Sequence, residues 1–377
     1  KLMVSDHGLL AYLLPTAALS MLLTVLLGPQ LGIAVTVLFS IVVGFMAGAS
    51  FELSVYALVG GLIGSLSLSK VERLNAFLWA GVFVALANLA VIVLFRLPKQ
   101  DDNPAQLLTL AGFSFLNGGL SASLTLAGFY LLGTLFDITT SLQLMELARP
   151  THPLLRELLL KAPGTFHHSI LVSNMAEEAA GRIGADPLLA RVGAYYHDIG
   201  KITRPYFFVD NQAEGVNVHE RLDPRTSAQI VISHVQDGLD LAKKYRLPSK
   251  VRDFIPQHQG TGLATYFYHK AREIEGDEVN QDDFRYPGPK PQTKETAIVM
   301  LADSCEAAVR GERPDSGEGI EELVHKIIDG KMLDGQLDEC DLTLHDLHEI
   351  RSAFVSILQG VFHPRIKYPE ETGVSDQ

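Results

Sequence analysis

The stretch LNAFLWAGVFVALANLAVIVLF, residues 74–95, contains no charged side chain, and a segment of that kind has few structural options. About 20 predominantly apolar residues in helical form span a bilayer core of about 30 Å. Within lipid, every backbone N–H and C=O must find its partner inside the segment, which favours a helix. Four more apolar runs lie in the same third of the chain, at roughly residues 8–27, 31–50, 53–69 and 105–136. The run ending YALVGGLIGSLSLS is short and glycine-rich, which suits close helix–helix packing. The run across 105–136 reads as one tilted helix or as two with a break at NGG (117–119), giving five or six crossings. Glu52 reads as an interfacial loop residue, since a charge at mid-bilayer costs about 2.5–3.5 kcal/mol. Asn88 and Asn117 read as packing or loop residues. No pair of charges inside the runs suggests a transport path, so this part reads as an anchor or a sensor module.

Of the 31 basic and 43 acidic residues, only five and six fall within residues 1–140. The rest of the chain is therefore a charged, acidic, water-soluble region. That balance argues against a nucleic-acid polymer as partner, which would need a basic face. The basic residues flanking the runs give no clear asymmetry. Only Cys305 and Cys340 are present, which fits a reducing compartment better than a disulfide framework, so the acidic region is expected in the cytoplasm. The chain starts at Lys1 without an initiator methionine or a signal-peptide pattern, and reads as a fragment or a processed form.

After the last apolar run, FDITTSLQLMELARPTHPLLRELLLKAPGT reads as a short helix, a proline break and a second helix joining the two regions. Beyond it the periodicity is helical, with no convincing strand alternation. Each helix places a costly residue on its apolar stripe. His168 aligns with Leu171, Val172, Met175 and Ala179; His197 with Ala190, Gly193 and Ala194; His234 with Ile230, Val231 and Gly238. His258 follows Val251, Phe254 and Ile255, and Asp303 falls in step with Thr296, Val299, Met300 and Ala307. One inward histidine is ordinarily a hydrogen-bonded core residue. Four histidines together with Asp198 and Asp303 are harder to satisfy, because unpaired buried carboxylates cost several kcal/mol. Metal coordination removes the cost for all six, and an imidazole and carboxylate set without thiolate suits iron, manganese or zinc. Adjacent helical residues project about 100° apart, so His197 can cap one ion while Asp198 reaches between two.

The order His168, His197–Asp198, His234, His258, Asp303 resembles the HD superfamily of metal-dependent phosphohydrolases. More narrowly, the chain is similar to the membrane-bound HD phosphodiesterases of bacteria that degrade cyclic di-AMP, the seven-transmembrane HD family of PgpH type. The words HPLLRELLLKAPGTFHHS, ADPLLARVGAYYHDIGK, YFFVDNQ, ISHVQDGLDLAKKY, FRYPGPKPQ, MLADSCEAA and GVFHPRIKYP carry that resemblance, with YLLPTAALSMLLTVLLGP in the apolar part. They cover nearly all of residues 137–370. One departure is QHQGT, where the family commonly has QHHGT, so Gln259 stands in place of a second histidine.

The resemblance implies an all-α fold: a polytopic transmembrane helical bundle over residues 1–137, a helical linker over 138–163, a cytoplasmic HD phosphohydrolase domain over 164–370 and a tail over 371–377. It implies a multi-pass protein of the bacterial inner membrane, with an extracytoplasmic sensor domain upstream. By motif, His168, His197, Asp198 and Asp303 would hold one divalent transition-metal ion, manganese or iron, and His234 and His258 a second, with Asp198 bridging. Two such ions sit about 3.5–4 Å apart and activate a shared hydroxide. Two divalent ions against two carboxylates leave about +2, which matches the two phosphates of a cyclic dinucleotide. Lys201, four residues after His197 and near the helix end, would steady charge building on phosphorus, so Asp198 and Lys201 are the catalytic candidates. Lys201, Asn211, Gln212, Gln259, Arg285, Tyr286 and Lys290 are candidate substrate contacts. His167 reads as a supporting residue, His219 and Glu220 as a loop pair near the site, and His345, His348 and His363 as outside it. The final helix packs on the core or on a second subunit, which would make a homodimer. The expected reaction is opening of cyclic di-AMP to linear pApA. The rival readings are cyclic di-GMP as substrate, a nucleotide sensor without turnover, and an HD phosphohydrolase of nucleoside mono- or triphosphates.

Overall fold

In a computed structural model of the chain, residues 9–69, 73–96, 104–212, 217–276 and 278–362 are described. The chain divides into two units, residues 1–145 and 146–377.

The first unit is built from α1 (Ala17–Leu27), α2 (Pro29–Met46), α3 (Phe51–Ser67), α4 (Asn75–Arg96) and α5 (Pro104–Leu135), with a single 3₁₀ turn, Leu10–Leu13, ahead of α1. Among the described residues, four helical stretches are long and apolar enough to cross a membrane: Leu10–Leu27, Pro29–Met46, Asn75–Arg96 and Pro104–Gly133. The helix Phe51–Ser67 is apolar but shorter. These are the spanning helices of a membrane protein. The run at 105–136 forms one helix, in which Asn117 and Gly118 of NGG are buried in packing and Gly119 is exposed. A Cβ at Gly118 would lie 2.2 Å from the carbonyl oxygen of Gly81, so α5 lies directly on α4.

Glu52 is not a loop residue, and a pair of charges does lie inside this unit. Glu52 stands in the first turn of α3 and is 9% exposed. Its Oε1 accepts from Tyr12 Oη at 2.6 Å and from Arg96 Nε, at the end of α4, at 2.9 Å. The pairing is invisible in sequence because 44 residues separate its members. Asn88 and Asn117 are buried packing residues, as expected: Asn88 donates to Asn117 Oδ1 at 3.3 Å, and Asn117 donates to the carbonyls of Tyr12 and Leu14.

After α6 (Ser141–Leu147) and α7 (Pro153–Lys161) come α8 (Pro163–Arg182) and α9 (Pro187–Tyr196). Then follow α10 (Pro224–Ile232), α11 (His234–Lys244), α12 (Ser249–Arg252), α13 (Phe254–Gln257), α14 (Thr265–Glu275), α15 (Lys294–Glu312), α16 (Gly317–Leu333) and α17 (Leu344–Val361). No strand occurs among the described residues; Leu263 and Arg285 form an isolated antiparallel bridge. The core centres on α15, whose Ala297–Ala302 segment is fully buried against α8, α9, α16 and α17. Thr293 caps α15 with a reciprocal bond to Thr296, and Asp186 caps α9 through Leu189 N–H at 3.0 Å. The final helix packs on this core through Leu347, Ile350, Ala353, Phe354 and Leu358. Cys305 and Cys340 are free.

Three helices differ from the sequence reading; the run carrying His258 is divided at Asp253 into α12 and α13, with His258 at the C-cap of α13. The run from Thr226 to Tyr245 is divided at Ser233, so His234 opens α11 and Ile230 and Val231 are only half-buried. Ser233 Oγ donates back to Ile230 O at 2.8 Å and accepts from Arg204 at 2.5 Å, a bonding mode that bends helices. The helix carrying His197 ends at Tyr196, and Ile199–Thr203 is a 3₁₀ turn.

Candidate metal centre

Six side chains from five parts of the second unit converge. His168 comes from α8, His197 and Asp198 from the end of α9, His234 from the start of α11, His258 from just after α13, and Asp303 from α15. His168, His197, Asp198 and Asp303 each offer a ligand atom within 4.8 Å of the others, and so do Asp198, His234 and His258. Asp198 belongs to both sets. Its Oδ2 faces His197 Nε2 at 3.4 Å and His168 Nε2 at 3.8 Å, while its Oδ1 faces His234 Nε2 at 3.4 Å and His258 Nε2 at 3.5 Å. Asp303 Oδ1 closes the first set, 3.0 Å from His168 Nε2.

The local fold determines which ring nitrogen points inward. Nδ1 of His197 lies 2.6 Å from Ala194 O, Nδ1 of His234 2.6 Å from Val231 O, and Nδ1 of His258 2.7 Å from Ile255 O. A carbonyl only accepts, so each Nδ1 carries a proton and donates it. His168 Nδ1 does the same to Glu306 Oε2 at 2.6 Å. All four rings therefore turn Nε2 to the centre, the arrangement that metal-binding histidines use. Gly200 allows the two sets to meet, since a Cβ there would lie 1.8 Å from His234 O.

The donor set fits divalent metal ions. Asp198 Oδ1 and His197 Nε2 are buried without a hydrogen bond, and Asp198 Oδ2 has only the Lys201 ammonium against it, an arrangement that is expensive unless further cations satisfy these atoms. The carboxylates and the burial of the site shift its histidines in opposite directions. Burial pushes the imidazolium of His168 down, but Asp303 and Glu306 outweigh it and raise its pKa to about 9. For His197 burial is likewise overcome, by Asp198 and Asp303, and its pKa rises to about 10. Burial would raise Asp198, yet Lys201 and His197 hold it well below the carboxylate range. His234 goes the other way, pushed by burial down to about 4.

Lys201 is at the site, 2.5 Å from Asp198 Oδ2. Positions i and i+3 eclipse in a 3₁₀ turn, so its ammonium lies over Asp198 rather than sharing a helix face with His197. Tyr286 is buried with its ring 6.1 Å from that of His234, and Gln259, half-buried, directly follows His258. The other candidate contacts have local partners. Asn211 binds Thr165 through both ends of its amide, Gln212 donates to Tyr206 O at 3.0 Å, Arg285 donates to Thr261 O at 3.0 Å, and Lys290 lies 3.7 Å from Asp338. His219 is buried among Phe207 and Phe267, with Nε2 2.7 Å from Phe207 O, and Glu220 is exposed. His167, His345 and His348 are exposed, and His363 lies outside the described residues.

Three residues escaped the sequence reading: Glu306, Arg310 and Asp210. Glu306 is 2% exposed, whereas Ala307, expected on the inner face, is exposed. Its position three residues after Asp303 is the signal that pointed to it. Asp210 lies in the 3₁₀ turn Val209–Asn211, where no periodicity marks an inward residue.

Convergence of histidine and aspartate from separate helices in an all-α domain, behind a polytopic membrane region, defines a membrane-bound HD-domain protein. Residues 1–140 match the family described as 7TM receptor with intracellular HD hydrolase, and residues 165–308 match the HD domain. The chain is 40% identical over 374 residues to the cyclic-di-AMP phosphodiesterase PgpH of Bacillus subtilis (strain 168), covering 97% of this chain and 52% of that protein. It is 41% identical over 370 residues to the protein of the same name from Listeria monocytogenes serotype 1/2a (strain 10403S), covering 96% and 51%. It thus spans about half the length of these relatives. The crystal structure of the L. monocytogenes PgpH HD domain in complex with cyclic di-AMP matches with a TM-score of 0.55 at 48% identity, covering 57% of this chain and all of that one. The chain belongs to the seven-transmembrane HD family, PgpH type.

Proposed function

We propose that this chain is the membrane region and hydrolase domain of a phosphodiesterase that opens cyclic di-AMP to linear pApA. The observation that carries this reading is Asp198: a buried carboxylate whose two oxygens face two separate sets of imidazole nitrogens, Oδ1 without a hydrogen bond and Oδ2 paired with the Lys201 ammonium. One carboxylate shared in this way suits two divalent cations, for which manganese or iron is the choice among nitrogen and oxygen donors. When bound, such ions supply positive charge against the phosphate and acidify a water to serve as nucleophile.

The chain's own residues do the rest. His168 and His197 on one side of Asp198, and His234 and His258 on the other, hold their Nε2 atoms fixed through their outward Nδ1 bonds, so little reorganisation is needed when charge develops. Lys201 remains protonated, because Asp198 and Asp210 overcome its burial. It is placed to meet a non-bridging phosphate oxygen as water attacks phosphorus and the P–O3′ bond breaks. Tyr286 walls the His234 side, and burial keeps its phenol neutral. Free cysteines and the acidic domain support a cytoplasmic site in a cell-membrane protein. The names of the relatives, and the cyclic di-AMP bound in the solved neighbour, support adenine over guanine.

The test is to incubate the detergent-solubilised chain with manganese and either cyclic di-AMP or cyclic di-GMP, and to identify products by chromatography and mass. Linear pApA, formed faster than pGpG and absent with Asp198→Ala, is the expected result. Equal activity of Asp198→Ala, or binding without any linear product, would reject the enzymatic reading.

A further inference from the structure

Resting on that reading, we infer that Arg310 is a positioning residue that holds the metal-ligand His168 and the phosphate-facing Lys201 in one frame, through two buried carboxylates. Arg310 lies on α15 with Asp303, one turn beyond Glu306. Its Nε donates to Glu306 Oε1 at 3.0 Å, and its Nη1 lies 2.6 Å from Asp210 Oδ1. Each carboxylate also reaches the centre, Glu306 through Oε2, to which Arg310 Nε donates as well at 3.2 Å. Glu306 Oε2 accepts from His168 Nδ1 at 2.6 Å, and Asp210 Oδ2 lies 3.3 Å from Lys201 Nζ. A closed path thus runs from His168 through Glu306, Arg310 and Asp210 to Lys201, and returns through Asp198.

Burial gives the path its force. The side chains of Glu306 and Asp210 are 3% and 8% exposed, so each carboxylate would be costly without its cation. The guanidinium is the part suited to this task, because its planar fork reaches two acceptors in fixed directions, which a lysine ammonium does not reproduce. Asp210 is itself held in place: the neighbouring Asn211 accepts from Thr165 N–H at 3.2 Å and donates to Thr165 Oγ1 at 2.9 Å.

The two arms have separate duties. Glu306 keeps the His168 proton on Nδ1 and the ring aligned, which is a matter of metal affinity. Asp210 is a second anion for Lys201. Once Asp198 is committed to cations, Asp210 keeps the ammonium in the pocket, which is a matter of turnover.

Manganese affinity by titration calorimetry and steady-state kinetics on cyclic di-AMP, both on the full chain in detergent, separate these duties. Glu306→Gln should lose about 10–100-fold in metal affinity at one site. Asp210→Asn should keep the parental metal affinity and lose at least about tenfold in kcat. Arg310→Gln should show both losses, and Arg310→Lys should not restore them. Arg310→Gln with parental metal affinity and parental kcat overturns the inference, as does a loss of metal affinity in Asp210→Asn equal to that in Glu306→Gln. Should Arg310→Gln not fold by circular dichroism, the two carboxylate variants carry the test. A parent chain that binds manganese but cleaves no cyclic dinucleotide would count against the proposed function alone, and the affinity arm would still decide the clamp.

Discussion

At the scale of single residues, the centre is a problem of where protons reside. In the metal-free protein, His168 and His197 keep their second proton to about pH 9 and 10, while His234, pushed down to about 4, is neutral at physiological pH. Metal and proton compete for the same Nε2 atoms. His168 and His197 are therefore expected to shed a proton when ions enter near neutral pH, whereas His234 has none to shed. The expected outcome is net proton release on loading at about pH 7, read as a dependence of the calorimetric enthalpy on buffer ionisation. Retention should weaken as pH falls, because protonation of His168 and His197 is already favoured. No proton release, or tighter retention in acid, would contradict this assignment.

The elements decide whether those residues meet. The turn after α9 and the start of α11 touch at Gly200, with no room for a methyl group against His234 O. Gly200→Ala should destabilise the chain by about 1–3 kcal/mol by overpacking and should also lower metal uptake, since it pushes His234 away from Asp198. Thermal melts with and without manganese check this; an unchanged gain in Tm on adding metal would contradict it. The inward stripes of α8, α9 and α15 were legible in the sequence because buried apolar residues repeat at helical spacing around His168, His197 and Asp303. What was not legible came from breaks in that regularity. The Ser233 bend moved His234 to a helix start, the 3₁₀ turn aimed Lys201 at Asp198, and Asp210 followed no period at all. Asn211 read as a ligand-facing amide, yet it is consumed in tying its turn to Thr165.

On the scale of the whole molecule, two units with different solvents share one chain. In the membrane unit, the apolar runs determined how many helices form, but the Tyr12–Glu52–Arg96 cluster depends on packing between runs distant in sequence. Glu52 is buried and Arg96 half-buried, so removing one member leaves the other charge poorly compensated. Glu52→Gln should therefore lower thermal stability in detergent more than Glu52→Leu combined with Arg96→Leu does; the reverse order would contradict a stabilising role for the ion pair. In the second unit, the account as a whole depends on one carboxylate serving two ions. The most direct measurement is metal content by mass spectrometry after manganese loading and desalting of the full chain. The account predicts about two ions per chain for the parent and at most one for Asp198→Ala. A parent that retains none, or a variant that retains as many as the parent, would contradict it.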